Sequence, residues 1–298
     1  MKKTIVLFFF TFSFLMAFAQ GNSGGDKIPS DTAYVTTEIY KTVGNTGLSM
    51  KLFYPSAYQK GKPLPAIVFF FGGGWVGGNI DQFKPHAGYL ASRGMVAILV
   101  DYRVKSRHQT TPFEAVTDAK SAIRYLRFNS TRLGIDSKRI AAAGGSAGGH
   151  LAAAAGNVAG LDQPGEDLTI SSKPDALVLF NPVFDNGPEG FGFDACGGET
   201  RYREISPIHN IRKGAPPTIV FLGANDKLIP VKTAERYKSL MEEAGSRCDL
   251  HLYEGQEHGF FNKGKNNDIY FQKTLYSSDL FLVDLGYLKG KPSISNRK

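Results

Sequence analysis

The 298 residues, 42% of them hydrophobic, suffice for one large α/β domain with a sizeable core. The formal net charge of +8 is scattered along the chain with no basic run or basic helix, which excludes a nucleic-acid partner and points a basic surface, if anywhere, to an acidic polysaccharide or a membrane face. Two cysteines, Cys196 and Cys248, are too few for a disulfide framework, although in an exported protein they can pair.

The chain opens Met1-Lys2-Lys3 and continues through a largely apolar run of 15 residues, Ile5 to Ala19, that ends in Ala17-Phe18-Ala19, the small-x-small pattern a signal peptidase accepts. A signal peptide over 1–19, cleaved near Gln20, is therefore expected, with the mature protein periplasmic or extracellular. The run is shorter than the roughly 20 residues that span a bilayer, and polar residues follow at once, so no stable membrane insertion is expected. Residues 20–33 read as a flexible leader, 34–290 as one domain and 291–298 as a loose tail.

Tyr34 to Val43 and Leu48 to Tyr54 alternate apolar and polar residues and read as antiparallel strands joined at Gly44-Asn45. Then the texture changes. Pro65 to Phe71, Met95 to Val100, Ile140 to Gly144, Ala176 to Phe180 and Thr218 to Leu222 are continuous apolar runs of strand length, the signature of strands covered on both faces. Helical periods lie between them, over Phe113 to Leu133, where Val116, Ala119, Ile123 and Leu126 recur, and over Val231 to Ala244. The alternation predicts a mainly parallel central sheet with helices on both faces and right-handed crossovers. Asn181 to Lys213, rich in Gly, Phe, Pro and Asp, is long for a plain connection and reads as a short cap-like insertion.

Ile140 to Leu151 is strand, turn and helix in one stretch, with Gly144-x-Ser146-x-Gly148 at the turn. A serine on so tight a corner needs neighbours without bulk, which is what a nucleophile elbow requires. A hydroxyl attacks only when a base takes its proton, so an acid and a histidine are expected at the ends of later strands. Asp226 follows Thr218 to Leu222, and His258 follows the strand Leu250 to Tyr253, in the chain order Ser, Asp, His. Glu254 and Glu257 are rival acids. His86, His108, His209 and His251 read as surface or core residues, and His150, one turn into the helix after Ser146, as a packing or capping residue. No His-x-His, His-x-x-x-His or Cys-x-x-Cys spacing occurs, so a metal site is not favoured; no cofactor is expected.

Gly72-Gly73-Gly74 leaves the third strand at the same sheet edge as Ser146. Acyl transfer puts negative charge on the carbonyl oxygen, and backbone N–H donors aimed at it are worth roughly 2.7–4 kcal/mol each. Gly73, Gly74 and Ala147 are the expected donors; a plain glycine-rich turn is the alternative.

The Gly72-Gly73-Gly74-Trp75 loop, Asp101-Tyr102-Arg103, Leu133-Gly134-Ile135-Asp136, Gly144 to His150, Asn225-Asp226 and His258-Gly259-Phe260 together resemble the α/β-hydrolases of the hormone-sensitive-lipase-like esterase group, near secreted bacterial acetylesterases and feruloyl or xylan esterases. The resemblance covers roughly Ile39 to Gly286. It implies a serine carboxylester hydrolase acting on short acyl esters, with acetylated or feruloylated carbohydrate as the leading substrate. A lipase or long-chain esterase and a non-catalytic carbohydrate-binding or adhesion module are the alternatives. Two positions depart from the family pattern: Phe71 stands where the loop usually begins with histidine, and Gly145 where the residue before the serine is often acidic. Phe71, Trp75 and Phe184 are the expected pocket walls, with Phe191 and Phe193 beside them; ordinary core packing is the alternative for these aromatics.

Overall fold

Eight strands form one sheet in the computed structural model, which describes residues 32–296. They are β1 (Thr32–Val43), β2 (Thr46–Pro55), β3 (Leu64–Phe70), β4 (Val96–Val100), β5 (Ile135–Gly145), β6 (Ala176–Phe180), β7 (Thr218–Gly223) and β8 (Cys248–Tyr253). Their spatial order is β1-β2-β4-β3-β5-β6-β7-β8. β1 and β2 make an antiparallel hairpin around Gly44-Asn45, β2 pairs antiparallel with β4, and every later pairing is parallel. The expected signal peptide lies outside the described residues, and the expected leader overlaps them only at its last two positions, where β1 begins.

The helices are α1 (Lys84–Ser92), α2 (Lys105–His108), α3 (Pro112–Phe128), α4 (Ser130–Leu133), α5 (Ala147–Asn157), α6 (Gly198–Ile205), α7 (Val231–Glu243) and α8 (Ile269–Asp284). Along β3, Ala66, Val68 and Phe70 join one hydrophobic cluster, while Ile67 and Phe69 join another. The first cluster is closed by Val116 and Ile123 of α3, Leu151 of α5 and Ala234 of α7; the second by Leu90 of α1 and Leu275 and Phe281 of α8. Successive strand side chains point to opposite faces, so a strand with helices on both sides must be apolar at every position. That is why the parallel strands read as unbroken apolar runs.

Local chemistry adjusts some expected boundaries. The single helix expected over Phe113 to Leu133 is two. A capping box between Thr111 and Glu114 starts α3, a device worth about 1 kcal/mol, and Asn129 ends it by donating its side-chain amide to the Tyr125 carbonyl (3.0 Å). β5 begins at Ile135 rather than Ile140, its first pairing with Leu64 offset from the rest by a register shift. Residues 181–213 carry α6 and a 3₁₀ turn at Pro207–His209, joined by turns. Cys196 and Cys248 are both buried and free, so no bridge ties this insertion to β8. The tail has no helix or strand over 291–296, yet Ile294 packs against the second cluster. Among the described residues no helix is long and apolar enough to cross a membrane.

Candidate active site

Ser146 occupies the corner between β5 and α5 with φ 53° and ψ −120°, a conformation that a side-chain-bearing residue holds only under strain. Its surroundings enforce the corner. The Ser146 N–H donates to Phe180 O of β6 (3.0 Å), and its carbonyl accepts from Val183 N (3.3 Å) and His150 N (2.9 Å). A Cβ on Gly148 would lie 2.1 Å from Phe70 O and 2.4 Å from Phe71 O, so α5 rests directly on the backbone leaving β3. Gly145 has a similar reason to lack a side chain: its Cβ would meet the Phe261 ring at 2.7 Å. No room exists there for the acid common in the family.

Asp226 and His258 approach from the neighbouring strand ends. His258 Nδ1 lies 2.7 Å from Asp226 Oδ2, and the Asp226 side chain is fully buried. The other carboxylate oxygen of Asp226 accepts from Leu228 N (2.9 Å) and Ile229 N (3.0 Å), which fixes the acid with Oδ2 towards the ring, and a carboxylate can only accept. Imidazole Nδ1 is therefore the protonated nitrogen, and Nε2 carries the lone pair. Neither Glu254 nor Glu257 is the acid bonded to this imidazole.

The glycine loop faces the same space. Gly73 has φ 130°, and a Cβ there would stand 2.2 Å from Gly77 O, so only glycine closes this turn. Among the described residues the N–H groups of Gly73 and Gly74 have no acceptor, and Ala147, as the first residue of α5, has no intrahelical partner for its own. The loop is held from three sides. Gly72 N donates to Gln82 Oε1 (2.7 Å), Tyr102 donates its hydroxyl to Phe71 O (2.7 Å), and the first N–H groups of α2 donate to Trp75 O and Val76 O (both 2.9 Å). Gln82 continues to Asn262 Oδ1 (3.0 Å), and Asn262 Nδ2 to Gly259 O (2.9 Å), so the glycine loop and the His258 loop are tied through two side-chain amides.

A cavity of about 410 Å³ collects these groups: Gly72 to Gly74, Ser146, Asn181, Phe191, Leu228, His258 and Phe261 line it, with Asn79, Gln82 and Asn262 at its polar side. Phe71, Trp75 and Phe184 do not. Phe71 is buried and stacked on Tyr102 (4.2 Å between ring centres), Trp75 is buried edge-on to His150 (5.0 Å), and Phe184, at the start of the insertion, is stacked on Tyr237 of α7 (3.8 Å). These rings are large enough to be claimed by the core, and the walls are Phe191, Leu228 and Phe261 instead. Phe193 packs on Tyr202. His150 is fully buried; burial pushes its imidazole down to about 4, against the opposing pull of a 3.0 Å contact with Asn186 Oδ1. It is a neutral packing residue between α5 and Trp75.

Relatives carry the same architecture. The family model described as BD-FAE matches residues 50–185, and that of the dienelactone hydrolase family matches residues 173–278. Esterase LipC of Mycobacterium tuberculosis is 32% identical over 67% of this chain, which spans only 54% of LipC. Carboxylesterase NlhH of the same organism is 28% identical over 74% of this chain and 75% of its own length. Among solved structures, Thermogutta terrifontis esterase 2 phosphoramylated by tabun superposes with a TM-score of 0.83 at 45% identity, covering 86% of this chain and 97% of that one. The chain belongs to the hormone-sensitive-lipase-like esterases of the α/β-hydrolase family. The same Thermogutta esterase has been solved with propionate bound (43% identical, TM-score 0.82) and with butyrate bound (42% identical, TM-score 0.82), each covering 89% of this chain and 98% of that one.

Three side chains of this α/β-hydrolase escape sequence reading: Gln82, Asn181 and Asn262. Asn181 carries the one available signal, a polar residue directly after an apolar strand at the sheet edge that also holds Ser146. Gln82, in the 3₁₀ turn Ile80–Phe83, and Asn262, in the loop after His258, are 180 residues apart, and nothing local announces that they meet.

Proposed function

We propose that this α/β-hydrolase is an exported serine esterase that cleaves short acyl groups from polar, carbohydrate-like alcohols. Ser146 Oγ attacks the ester carbonyl as His258 Nε2 takes its proton; a C–O bond forms and the carbonyl oxygen becomes an oxyanion, held by the N–H groups of Gly73, Gly74 and Ala147. The oxyanion collapses, the ester C–O bond breaks, and His258 returns the proton to the departing alcohol. Water, deprotonated by the same nitrogen, then hydrolyses the acyl-serine. Asp226 orients the imidazole and stabilises its charged form.

The observation that carries the reading is the 2.7 Å contact of His258 Nδ1 with Asp226 Oδ2 beside a strained serine in one cavity. A short acyl group is supported by the modest cavity and by the propionate and butyrate complexes of the Thermogutta esterase. A polar alcohol is supported by a second cleft of about 530 Å³ that shares Gln82 and Asn262 with the first and continues along Asp81, Lys84 and Asp268. Export rests on the Met1 to Gln20 sequence and is tested by the N-terminal residue of the protein recovered from culture.

The activity test is a hydrolysis panel of acetyl, butyryl, octanoyl and feruloyl esters with acetylated oligosaccharides. Acetyl and butyryl esters are expected to lead, and Ser146→Ala to lose about 10⁴-fold or more together with all fluorophosphonate labelling. Octanoyl esters leading the panel would replace the short-acyl reading with a lipase-like one.

A further inference from the structure

Asn181 follows β6 directly, with φ 34°, and is almost wholly buried. Its backbone N–H donates to Phe221 O (2.7 Å), which fixes the residue against β7. Its side chain makes two contacts in the His258 loop: Oδ1 accepts from Gly259 N (2.8 Å), and Nδ2 lies 3.3 Å from His258 Nε2. Gly259 N–H can only donate, so the amide orientation is decided, and it is the NH₂ that faces the imidazole. Because Nδ1–H donates to Asp226, the Nε2 lone pair is what receives that NH₂.

This arrangement suits a neutral ring and opposes a charged one. Once Nε2 has taken a proton, donor faces donor. We propose that Asn181 is a positioning residue that holds His258 in its neutral, Nδ1-protonated form between turnovers and turns the ring away from itself, towards the leaving-group oxygen, when Nε2 becomes protonated. The inference rests on the reading of His258 as the general base. The proton it concerns is the one that Ser146 gives up and the departing alcohol receives, so no further reactant is needed.

The charged and titratable groups around the ring are few. Asp226 backs Nδ1, exposed Glu257 precedes His258 in the chain, and Lys265 Nζ comes within 3.4 Å of where a Cβ on Gly259 would lie. Ser146 lines the same cavity, and His258 itself is the only titratable or charged group among the cavity's lining residues.

The decisive variant is Asn181→Asp. It keeps an oxygen for Gly259 N–H but presents a carboxylate where Nε2 met an NH₂, so it favours the protonated ring. The acid limb of the kcat/KM profile for p-nitrophenyl acetate is expected to move up by about 1–3 pH units, with kcat/KM falling about tenfold per unit below the limb and recovering at high pH. Asn181→Ala, which removes the NH₂ without adding charge, is expected to move the limb in the same direction by less; melting temperatures confirm that both variants fold. A limb that stays in place in both, with activity lowered equally at every pH, overturns the proposal and leaves Asn181 as a loop anchor. His258→Ala separates the two levels: if it retains activity, the base assignment itself fails, whereas an inactive His258→Ala beside unmoved limbs refutes the role of Asn181 alone.

Discussion

The corner at Ser146 and the glycine loop at residues 72–74 touch, a Cβ on Gly72 lying 3.0 Å from Gly145 O, yet they are built by opposite means. The corner is shaped by backbone pressed against backbone: α5 cannot approach β3 unless position 148 lacks a Cβ. The loop is shaped by side chains reaching in from elsewhere, Gln82 at Gly72, Tyr102 at Phe71, and α2 beneath Trp75. One device is all-or-none because main chain has nowhere to move. The other is graded, because each prop can be removed singly.

The largest effect is therefore expected at the corner. Gly148→Ala drives a methyl into two carbonyl oxygens and is expected to cost about 3 kcal/mol or more, a fall in Tm on the order of 6–12 °C, with ester hydrolysis lost. A variant that melts with the wild type and stays active would break the contrast. Next comes Gln82→Ala, which frees Gly72 N and cuts the tie to Asn262. We expect kcat to fall about 10–100-fold with KM little changed and Tm within about 3 °C, since the donors shift while the core does not. Tyr102→Phe is milder: the stack on Phe71 survives, one buried carbonyl loses its hydroxyl, and about 1–2 kcal/mol of stability and less than tenfold in kcat should go with it.

Smallest at neutral pH, and growing only as the medium is acidified, is the effect that joins the two regions through His150, which belongs to α5 and packs on Trp75 of the loop. Its folded-state value is depressed to about 4, below the roughly 6.5 of an unfolded chain, so unfolding takes up a proton between those limits. Stability is complete above about pH 6.5 and declines by up to about 1.4 kcal/mol per pH unit for this residue as the pH falls towards 4. His86, pushed down to about 3 by burial among phenylalanines, adds to the same slope. Thermal melts at pH 7, 6, 5 and 4, compared with His150→Gln, should show the slope lessened in the variant.

The same contrast explains what was legible in the sequence. A corner that depends on missing side chains writes itself locally, as Gly144-x-Ser146-x-Gly148 between an apolar run and a small-residue helix. The strands were legible for a related reason, because burial on both faces leaves no polar position to blur the run. Props from distant loops leave no such trace. Tyr102 stands in a recognised motif that gives no sign of its task at Phe71 O, and of the two amides beside the glycine turn Asn79 caps the 3₁₀ turn Ile80–Phe83 while Gln82, three residues later, reaches Gly72. Aromatic rings are the least legible: Phe71, Trp75 and Phe184 are as fit for a pocket wall as for the core, and here Tyr102, His150 and Tyr237 take them inward.

The tie that runs from Gly72 through Gln82 and Asn262 to Gly259, and on to Asn181, is made only of amides. It holds no ion, and so offers nothing for dissolved salt to screen, whereas paired surface charges weaken within a Debye length of about 8 Å at physiological ionic strength. Brine and dilute buffer should find the glycine loop and the His258 loop in the same register.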